Sequence, residues 1–198
     1  MPFAFGRWHG QAVTDQKAQP AVDYLAQDDR VLLADCEVNV HRASGPGGQH
    51  RNKVSTGIRL THRPTGIAAT AYDSRSQSEN RLEAMKRLRM KIACQHRRAV
   101  DVDRLRVPEP AASCLFTPGK GPPAPAARRL QVGRKDHRFW PVVQFLLDLL
   151  EGCEGRLSDA AGKIGITTSN LAAILKEDRH SWAAAAEIRK RHGLGPLK

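Results

Sequence analysis

Cysteine, aromatic side chains, acidic charge and long apolar runs are all scarce in this sequence of 198 residues. Its four cysteines lie far apart, with no CxxC pair and no cluster of Cys and His, so a zinc site is not expected. No apolar run is long enough to span a bilayer, and the N-terminus lacks the pattern of a signal peptide. These absences predict a soluble, reduced, cytoplasmic protein without metal, cofactor or membrane partner, in which Cys36 and Cys94 are buried rather than bridged.

The shortage of acidic residues leaves a formal net charge of +12 and an isoelectric point near 10.1. So basic a chain usually binds a polyanion, and nucleic acid is the first candidate. The charge is concentrated in residues 41–98, where thirteen Lys and Arg face three Asp and Glu, whereas residues 140–198 hold eight against seven. The middle block is therefore the part expected to bind nucleic acid.

Alternating polar and apolar residues predict three strands in the first half of the chain. The first covers residues 37–42, and residues 56–61 and 67–72 form a hairpin around a Pro/Gly turn, in which His62 is expected to stabilise the turn rather than to catalyse. A short helix is expected around residues 21–26, and another from position 48 or 49 to about 54.

A long helix should follow the hairpin. Ser76 and Glu79 have the spacing of a capping box at its start. Apolar residues then recur at helical intervals and predict a buried stripe, with most basic residues off it; the stripe comprises Leu82, Met85, Leu88 and Ile92. Strands and helices together predict a small β-α-β-β-α unit.

The second half of the chain divides at a proline-rich stretch. Residues 107–135 hold six of the twelve prolines and read as a semi-extended basic linker without a core. Residues 139–194 are expected to be all-helical, and residues 157–178 have helix-turn-helix spacing in which Thr168 or Ser169 caps the second helix. The predicted packing residues are Phe139, Trp140, Phe145, Ile164, Ile166, Leu171, Ile174 and Trp182. Nucleic-acid contact and a purely structural or protein-docking role both stay open for this block.

A glycine loop, RASGPGGQHRNK at residues 42–53, follows the first predicted strand. It fits neither the P-loop nor the dinucleotide fingerprint GxGxxG, and an ordinary strand-to-helix loop is the plain alternative. Gly47 and Gly48 allow the backbone to approach a partner closely, and Gln49 offers a backbone N–H and a side-chain amide, none of them ionisable. Such a device suits orienting water and stabilising an oxyanion by hydrogen bonds.

RASGPGGQHRNKVSTGIRLTHRPTGI, followed by RSQSENRLEAMKRL, resembles the catalytic domain of class I peptide chain release factors over roughly residues 31–98. The resemblance implies hydrolysis of the ester in peptidyl-tRNA at the ribosomal peptidyl-transferase centre. It makes Gly47, Gly48 and Gln49 catalytic, and it makes large-subunit ribosomal RNA and P-site peptidyl-tRNA the partners. Because the family's Gln is often methylated, a glutamine methyltransferase acting on Gln49 is a further expected partner. The residues expected to meet RNA are Arg42, Ser44, His50, Arg51, Asn52, Lys53 and Arg75.

The chain departs from the family at several points. Arg51 stands where the family usually has Val, and Pro46 replaces a small residue and should stiffen the loop. Neither the Pro-x-Thr nor the Ser-Pro-Phe tripeptide of codon-reading members occurs, and about 40 residues precede the motif. We therefore expect the short, codon-independent type that rescues stalled ribosomes. A non-catalytic ribosome- or RNA-binding regulator that uses the helix-turn-helix-like block is the alternative, and a transcription regulator is a third reading.

The expected architecture is α+β. It comprises an N-terminal extension (1–30), a catalytic domain of the release-factor type (31–106), a Pro/Gly-rich basic linker (107–138) and a helical C-terminal domain (139–198).

Overall fold

A computed structural model describes residues 23–42, 56–117 and 128–197. All of the glycine loop except Arg42, and the helix predicted from position 48 or 49 to about 54, lie outside these residues. Where the helix near 21–26 was expected, the described residues form a turn, because the Asp23 carboxylate accepts from the backbone N–H groups of Leu25 and Ala26 at 3.1 and 3.2 Å. Such an Asx turn offers the backbone an alternative to a helix.

The first half of the chain forms a three-stranded antiparallel sheet in the order β1-β2-β3. A short helix, α1 (Asp29–Ala34), which the sequence did not predict, precedes β1 (Cys36–His41). The hairpin strands are β2 (Gly57–His62) and β3 (Ala68–Ala71). All three predicted strands are present, with ends shifted by about one residue.

The long helix α2 (Gln77–Gln95) covers one face of this sheet. Ser76 is its N-cap and accepts from the Glu79 N–H at 3.4 Å, as predicted. The reciprocal half of the capping box differs, because the Glu79 carboxylate accepts from the Ser74 hydroxyl, and the Ser74 hydroxyl in turn accepts from the Ser76 N–H at 3.0 Å. The core between sheet and helix includes Leu32, Ile58, Leu60, Ala84, Met85, Leu88 and Ile92.

Leu82 does not belong to the buried stripe, contrary to the sequence prediction. Its side chain is 62% exposed, whereas Met85 and Leu88 are buried. Because helical residues advance about 100° per position, Leu82 lies beyond Met85, on the side away from Ala84 and Leu88. It lines an open groove there, together with Trp140 of the second half of the chain.

The second half of the chain is mainly helical. Its first elements are α3 (Glu109–Ala112) and a two-stranded antiparallel ladder of β4 (Leu115–Phe116) and β5 (Arg129–Leu130). Four longer helices follow: α4 (Phe139–Gly152), α5 (Leu157–Ile164), α6 (Thr168–Lys176) and α7 (Arg179–Arg191).

The proline-rich stretch was expected to lack a core, and this expectation is wrong for its described residues. Ala111, Cys114, Leu130 and Val132 are buried in the same core as helices α4–α7. The ladder of β4 and β5 brings the two described parts of this stretch together, because Leu115 pairs with Leu130 across the strands. Residues 118–127 lie outside the described part of the chain.

Helices α5 and α6 follow each other across a short turn, as the predicted helix-turn-helix spacing requires. Gly165 ends α5 with φ +72°, and all four predicted packing residues of the motif are buried. The cap of α6 is Thr167 rather than Thr168 or Ser169, because the Thr167 hydroxyl accepts from the Asn170 N–H at 3.1 Å. The Asn170 side chain bonds both backbone groups of Leu130 and so attaches α6 to β5.

The aromatic residues predicted to pack in the core of the helical half differ in how deeply they are buried. Phe139 and Phe145 are buried, whereas Trp140 and Trp182 are half-buried at the margin of the core. Cys36 is buried, Cys94 is partly buried, and all four cysteines, each of which the structure describes, are free thiols. The predicted α+β class is thus confirmed for the described residues. Among the helices described, none is both long and apolar enough to cross a membrane.

A candidate nucleic-acid interface at one end of the sheet

The antiparallel strand order brings three chain segments to one end of the N-terminal sheet. β1 ends there at His41, β2 begins there at Gly57, and β3 ends there at Ala71. Residues 43–55 therefore leave and re-enter the sheet at this end. Of the residues with predicted site roles, Arg42 and Arg75 are described, and both are exposed here. The others lie outside the described residues: Ser44, Gly47, Gly48, Gln49, His50, Arg51, Asn52 and Lys53.

The two roots of the glycine loop are joined by a close contact. His41 and Gly57 form the last pair of the β1–β2 ladder. A Cβ on Gly57 would lie 2.8 Å from Nε2 of the His41 ring and 3.0 Å from the His41 carbonyl oxygen. Glycine at position 57 therefore lets the His41 ring lie against the backbone of β2.

A buried amide fastens the returning root of the loop to α2. The Asn80 side chain is 1% exposed and lies in the first turn of that helix. Its Nδ2 donates to the Thr56 carbonyl at 2.7 Å and to the Ser74 carbonyl at 2.8 Å, while its Oδ1 accepts from the Ser74 N–H at 2.9 Å. Asn80 thus joins the residue that precedes β2 to the turn that carries Arg75.

The basic residues of this domain fall into two groups. Arg87, Arg89 and Lys91 of α2 are engaged: Arg87 with Asp73 at 2.9 Å, Arg89 with Asp29 at 2.7 Å, and Lys91 with the Ala68 carbonyl at 2.7 Å. Arg87 also donates to the Thr70 carbonyl at 2.8 Å, so that two of these cations cover carbonyl groups of the edge strand β3. These side chains support the fold.

In the second group, the guanidinium groups of three exposed arginines have no hydrogen bond or ion pair to any residue that the structure describes. They are Arg42, Arg59 and Arg75. Arg42 and Arg75 flank the loop roots, and Arg59 occupies the face of β2 that α2 does not cover, opposite Asn39 and Thr70. Unpaired guanidinium groups of this kind suit contacts with phosphate. The sequence reasoning missed Arg59, although its polar position in the alternating strand was the available signal.

His62 lies at the other end of β2, away from the loop. It is fully buried, and its Nδ1 lies 2.8 Å from the Thr65 hydroxyl within the hairpin turn. Burial lowers the pKa of the His62 ring and outweighs the opposing effect of Asp35. The geometry agrees with the expected role in the turn.

The described residues offer little for covalent or metal-dependent chemistry. No three His, Cys, Asp or Glu side chains among them are grouped so as to hold a metal ion. Burial raises the pKa of all four thiols, for Cys94 to about 12, so these thiols are poor nucleophiles at neutral pH. What this end of the sheet offers is cations and hydrogen-bond donors, which suit binding of a polyanion.

Comparison with known proteins places the first half of the chain in one family. The RF-1 domain model matches residues 28–109. The chain is 43% identical over 99 residues to peptide chain release factor 1 of Acidiphilium cryptum, covering 50% of this chain and 27% of that protein. It is 47% identical over 70 residues to the same-named protein of Latilactobacillus sakei, covering 35% and 19%.

A longer match reaches into the helical half. Peptide chain release factor 1 of Leptospira biflexa is 32% identical over 173 residues, which cover 87% of this chain and 40% of that protein. The matched region thus spans well under half the length of these curated relatives. Residues 28–109, which include the loop roots and Arg42, Arg59 and Arg75, therefore form an RF-1 domain, and this part of the chain is similar to peptide chain release factors.

Proposed function

We propose that this protein hydrolyses the ester bond of peptidyl-tRNA in the peptidyl-transferase centre of the ribosome and so releases the nascent peptide. The observation that carries the proposal is the sequence Gly47-Gly48-Gln49 in a loop whose two roots lie at the arginine-bearing end of an RF-1 domain. The name of the relatives, peptide chain release factor 1, supports the same reaction.

In the proposed mechanism the loop supplies hydrogen bonds and ribosomal RNA supplies the rest of the site. A water molecule attacks the ester carbonyl carbon, the bond to the ribose oxygen of the tRNA breaks, and that oxygen leaves as a hydroxyl with a proton from water. The backbone N–H of Gln49 donates to the oxyanion that develops on the carbonyl, and its side-chain amide orients the water. Gly47 and Gly48 permit the backbone conformation that this approach requires.

Binding to the large ribosomal subunit is assigned to the basic residues around the loop. Arg42 and Arg75 carry the described part of this contact, with Arg59 as an addition from the structure. Ser44, His50, Arg51, Asn52 and Lys53 of the loop complete it. Arginine binds phosphate through a planar fork of donors, and such contacts position a protein on RNA without reading its sequence.

We further propose that release does not require a stop codon, as in rescue of stalled ribosomes. Support comes from residues 1–198, which contain neither the Pro-x-Thr nor the Ser-Pro-Phe tripeptide. The Gln49 side chain is also proposed as the substrate of a glutamine methyltransferase, which mass spectrometry of the loop peptide from the native host would reveal.

A peptide-release assay tests the hydrolysis. Ribosomes carry labelled peptidyl-tRNA in the P site on mRNA that ends there, continues with a sense codon or continues with a stop codon. We expect release by the wild type on truncated mRNA, none by Gln49→Ala, and wild-type release by Gln131→Ala, a matched change of an exposed glutamine next to β5.

The mRNA series separates the two parts of the proposal. Release only with a stop codon would overturn the codon-independent part and leave the hydrolysis intact. Ribosome binding without release on any mRNA would overturn the hydrolysis and favour a ribosome-binding regulator.

A further inference from the structure

Asn80 occupies an unusual position for a polar side chain. It is almost completely buried on the sheet-facing side of α2, where neighbouring positions hold Ala84 and Leu88. A buried amide is costly unless its hydrogen bonds are made. Here both N–H groups of the amide and its oxygen have partners, and all three partners are backbone groups.

Two separate chain segments meet at this amide. One partner is the Thr56 carbonyl, 24 residues before Asn80, and the others belong to Ser74 in the turn that leads into α2. Thr56 is the last described residue before β2 and follows directly on the glycine loop. The other root of the loop continues from His41, which the β1–β2 ladder already pairs with Gly57.

We propose that Asn80 is a positioning residue for peptide release: its amide fixes the returning root of the loop, and thereby the reach of Gln49 into the peptidyl-transferase centre. This inference rests on the proposed hydrolysis. Asn80 itself touches no reacting atom. The His41–Gly57 pair joins the two roots within the sheet, and the contact of Asn80 with Thr56 adds an attachment of the returning root to α2.

The chemistry of the contact explains why an amide is required. Two backbone carbonyl oxygens here need a hydrogen-bond donor, and one backbone N–H needs an acceptor. Among side chains of this length, only the uncharged amide of Asn supplies both. An aspartate of the same shape would keep the bond from the Ser74 N–H but would place an oxygen against the Thr56 and Ser74 carbonyls. Asn80→Asp therefore breaks the link to the loop while preserving side-chain volume.

Misplacement of a reacting group by about 1 Å can cost about 100-fold in rate. For Asn80→Ala and Asn80→Asp we expect the release rate constant at saturating factor to fall by about 10- to 100-fold. The dissociation constant for the ribosome should change by a smaller factor than the rate, because the Asn80 amide bonds Thr56 and Ser74 and not Arg42 or Arg59.

Asn170 provides a matched control. It too is an Asn whose side-chain amide bonds a backbone N–H and a backbone carbonyl, those of Leu130, at 2.7 and 2.9 Å, but it lies in the helical half of the chain. Asn170→Ala should lower the thermal stability by an amount comparable to Asn80→Ala and leave the release rate unchanged. Equal losses of rate in the two variants, or a wild-type rate in a folded Asn80 variant, would overturn the positioning role.

A second readout does not depend on activity. In the free protein, Asn80→Asp should accelerate amide hydrogen exchange at Gly57 and Ile58, at the start of β2, whereas Asn170→Ala should not. If the wild type releases no peptide, the proposed function fails, and this exchange measurement still decides whether Asn80 anchors the loop root. Unchanged exchange in Asn80→Asp would refute the anchor.

Discussion

Whether an arginine of this domain serves the fold or a partner depends on what its guanidinium group already binds. Arg87 and Arg89 hold carboxylates and backbone carbonyls, so replacing them removes intramolecular contacts. Arg42, Arg59 and Arg75 hold none among the described residues and are exposed. Net charge alone does not distinguish the two groups; the contacts do.

This division predicts a specific loss of ribosome binding. Arg75→Gln should weaken binding to the large subunit and reduce the slope of log K against log salt by about 1, the effect of one lost phosphate contact. Lys86→Gln, which removes a cation that is 76% exposed on α2, serves as control. Titration at several salt concentrations measures both. An unchanged slope for Arg75→Gln would mean that Arg75 makes no phosphate contact in the complex.

One buried and one partly buried histidine, His62 and His96, predict how stability varies with pH. Burial lowers the pKa of both His62 and His96 from the usual 6.5, so the folded state favours the neutral rings. The unfolded chain then binds more protons below about pH 6.5, and stability should be complete above that pH and fall as the pH drops through the lowered values. Urea denaturation between pH 8 and pH 5 measures this. His62→Asn should flatten the decline, and an unaltered decline would exclude His62 as its source.

At the scale of single elements, predictability from the sequence followed the length of the repeating pattern. Strands β1–β3 and helix α2 have several turns or alternations each, and the strand ends and the start of α2 were predicted to about one residue. Helix α1 has six residues, fewer than two turns, and β4 and β5 have two residues each, so none of them repeats its period often enough to be detected.

The candidate site shows the same limit. The motif residues of the candidate site could be recognised from their order in the sequence. The contact of Asn80 with Thr56 could not be predicted, because it joins a side chain to a backbone carbonyl 24 positions away. The error at Leu82 has a similar origin: the spacing was helical, but the edge of the buried arc depends on which neighbour the helix packs against.

Two glycines of the helix-turn-helix-like motif should respond oppositely to the same substitution. Gly165 has φ +72°, where a side chain is strained, so Gly165→Ala should lower the free energy of unfolding by about 1–2 kcal/mol. Gly162 lies within helix α5 with open space around the position of a Cβ, and Gly162→Ala should raise it by about 0.5–1 kcal/mol. Chemical denaturation of the two variants measures the pair. Changes of the same sign would contradict the turn geometry.

At the scale of the whole molecule, the two halves are joined by a buried charge cluster. Asp148 of α4 has a side chain with no exposed surface, and it binds Arg97 at 3.0 Å and Arg98 at 2.9 Å, both just after the end of α2. Arg98 also reaches Asp23 at 3.2 Å. The Gln144 side chain adds a bond to the His96 carbonyl at 3.2 Å. The RF-1 domain and the helical half are therefore linked by polar contacts between α4 and the residues that follow α2.

Removing the shared carboxylate should weaken this link more than any exposed ion pair. Asp148→Ala removes the carboxylate that two largely buried guanidinium groups share and leaves Arg98 with Asp23 alone, and breaking a buried ion pair typically costs about 3–5 kcal/mol. Asp159→Ala, which removes an exposed carboxylate 3.7 Å from Arg156, should cost at most about 1 kcal/mol. Urea denaturation followed by separate probes of the two halves would measure both variants.

The form of the transition is as informative as its midpoint. Since Asp148 lies between the halves and not within either core, its loss should separate the unfolding of the N-terminal sheet from that of helices α4–α7 and broaden or split the transition. The Asp159 variant should retain the wild-type form. A single sharp transition in Asp148→Ala, displaced by no more than in the control, would mean that apolar packing between α2 and α4 alone couples the halves and that the buried charges contribute little to it.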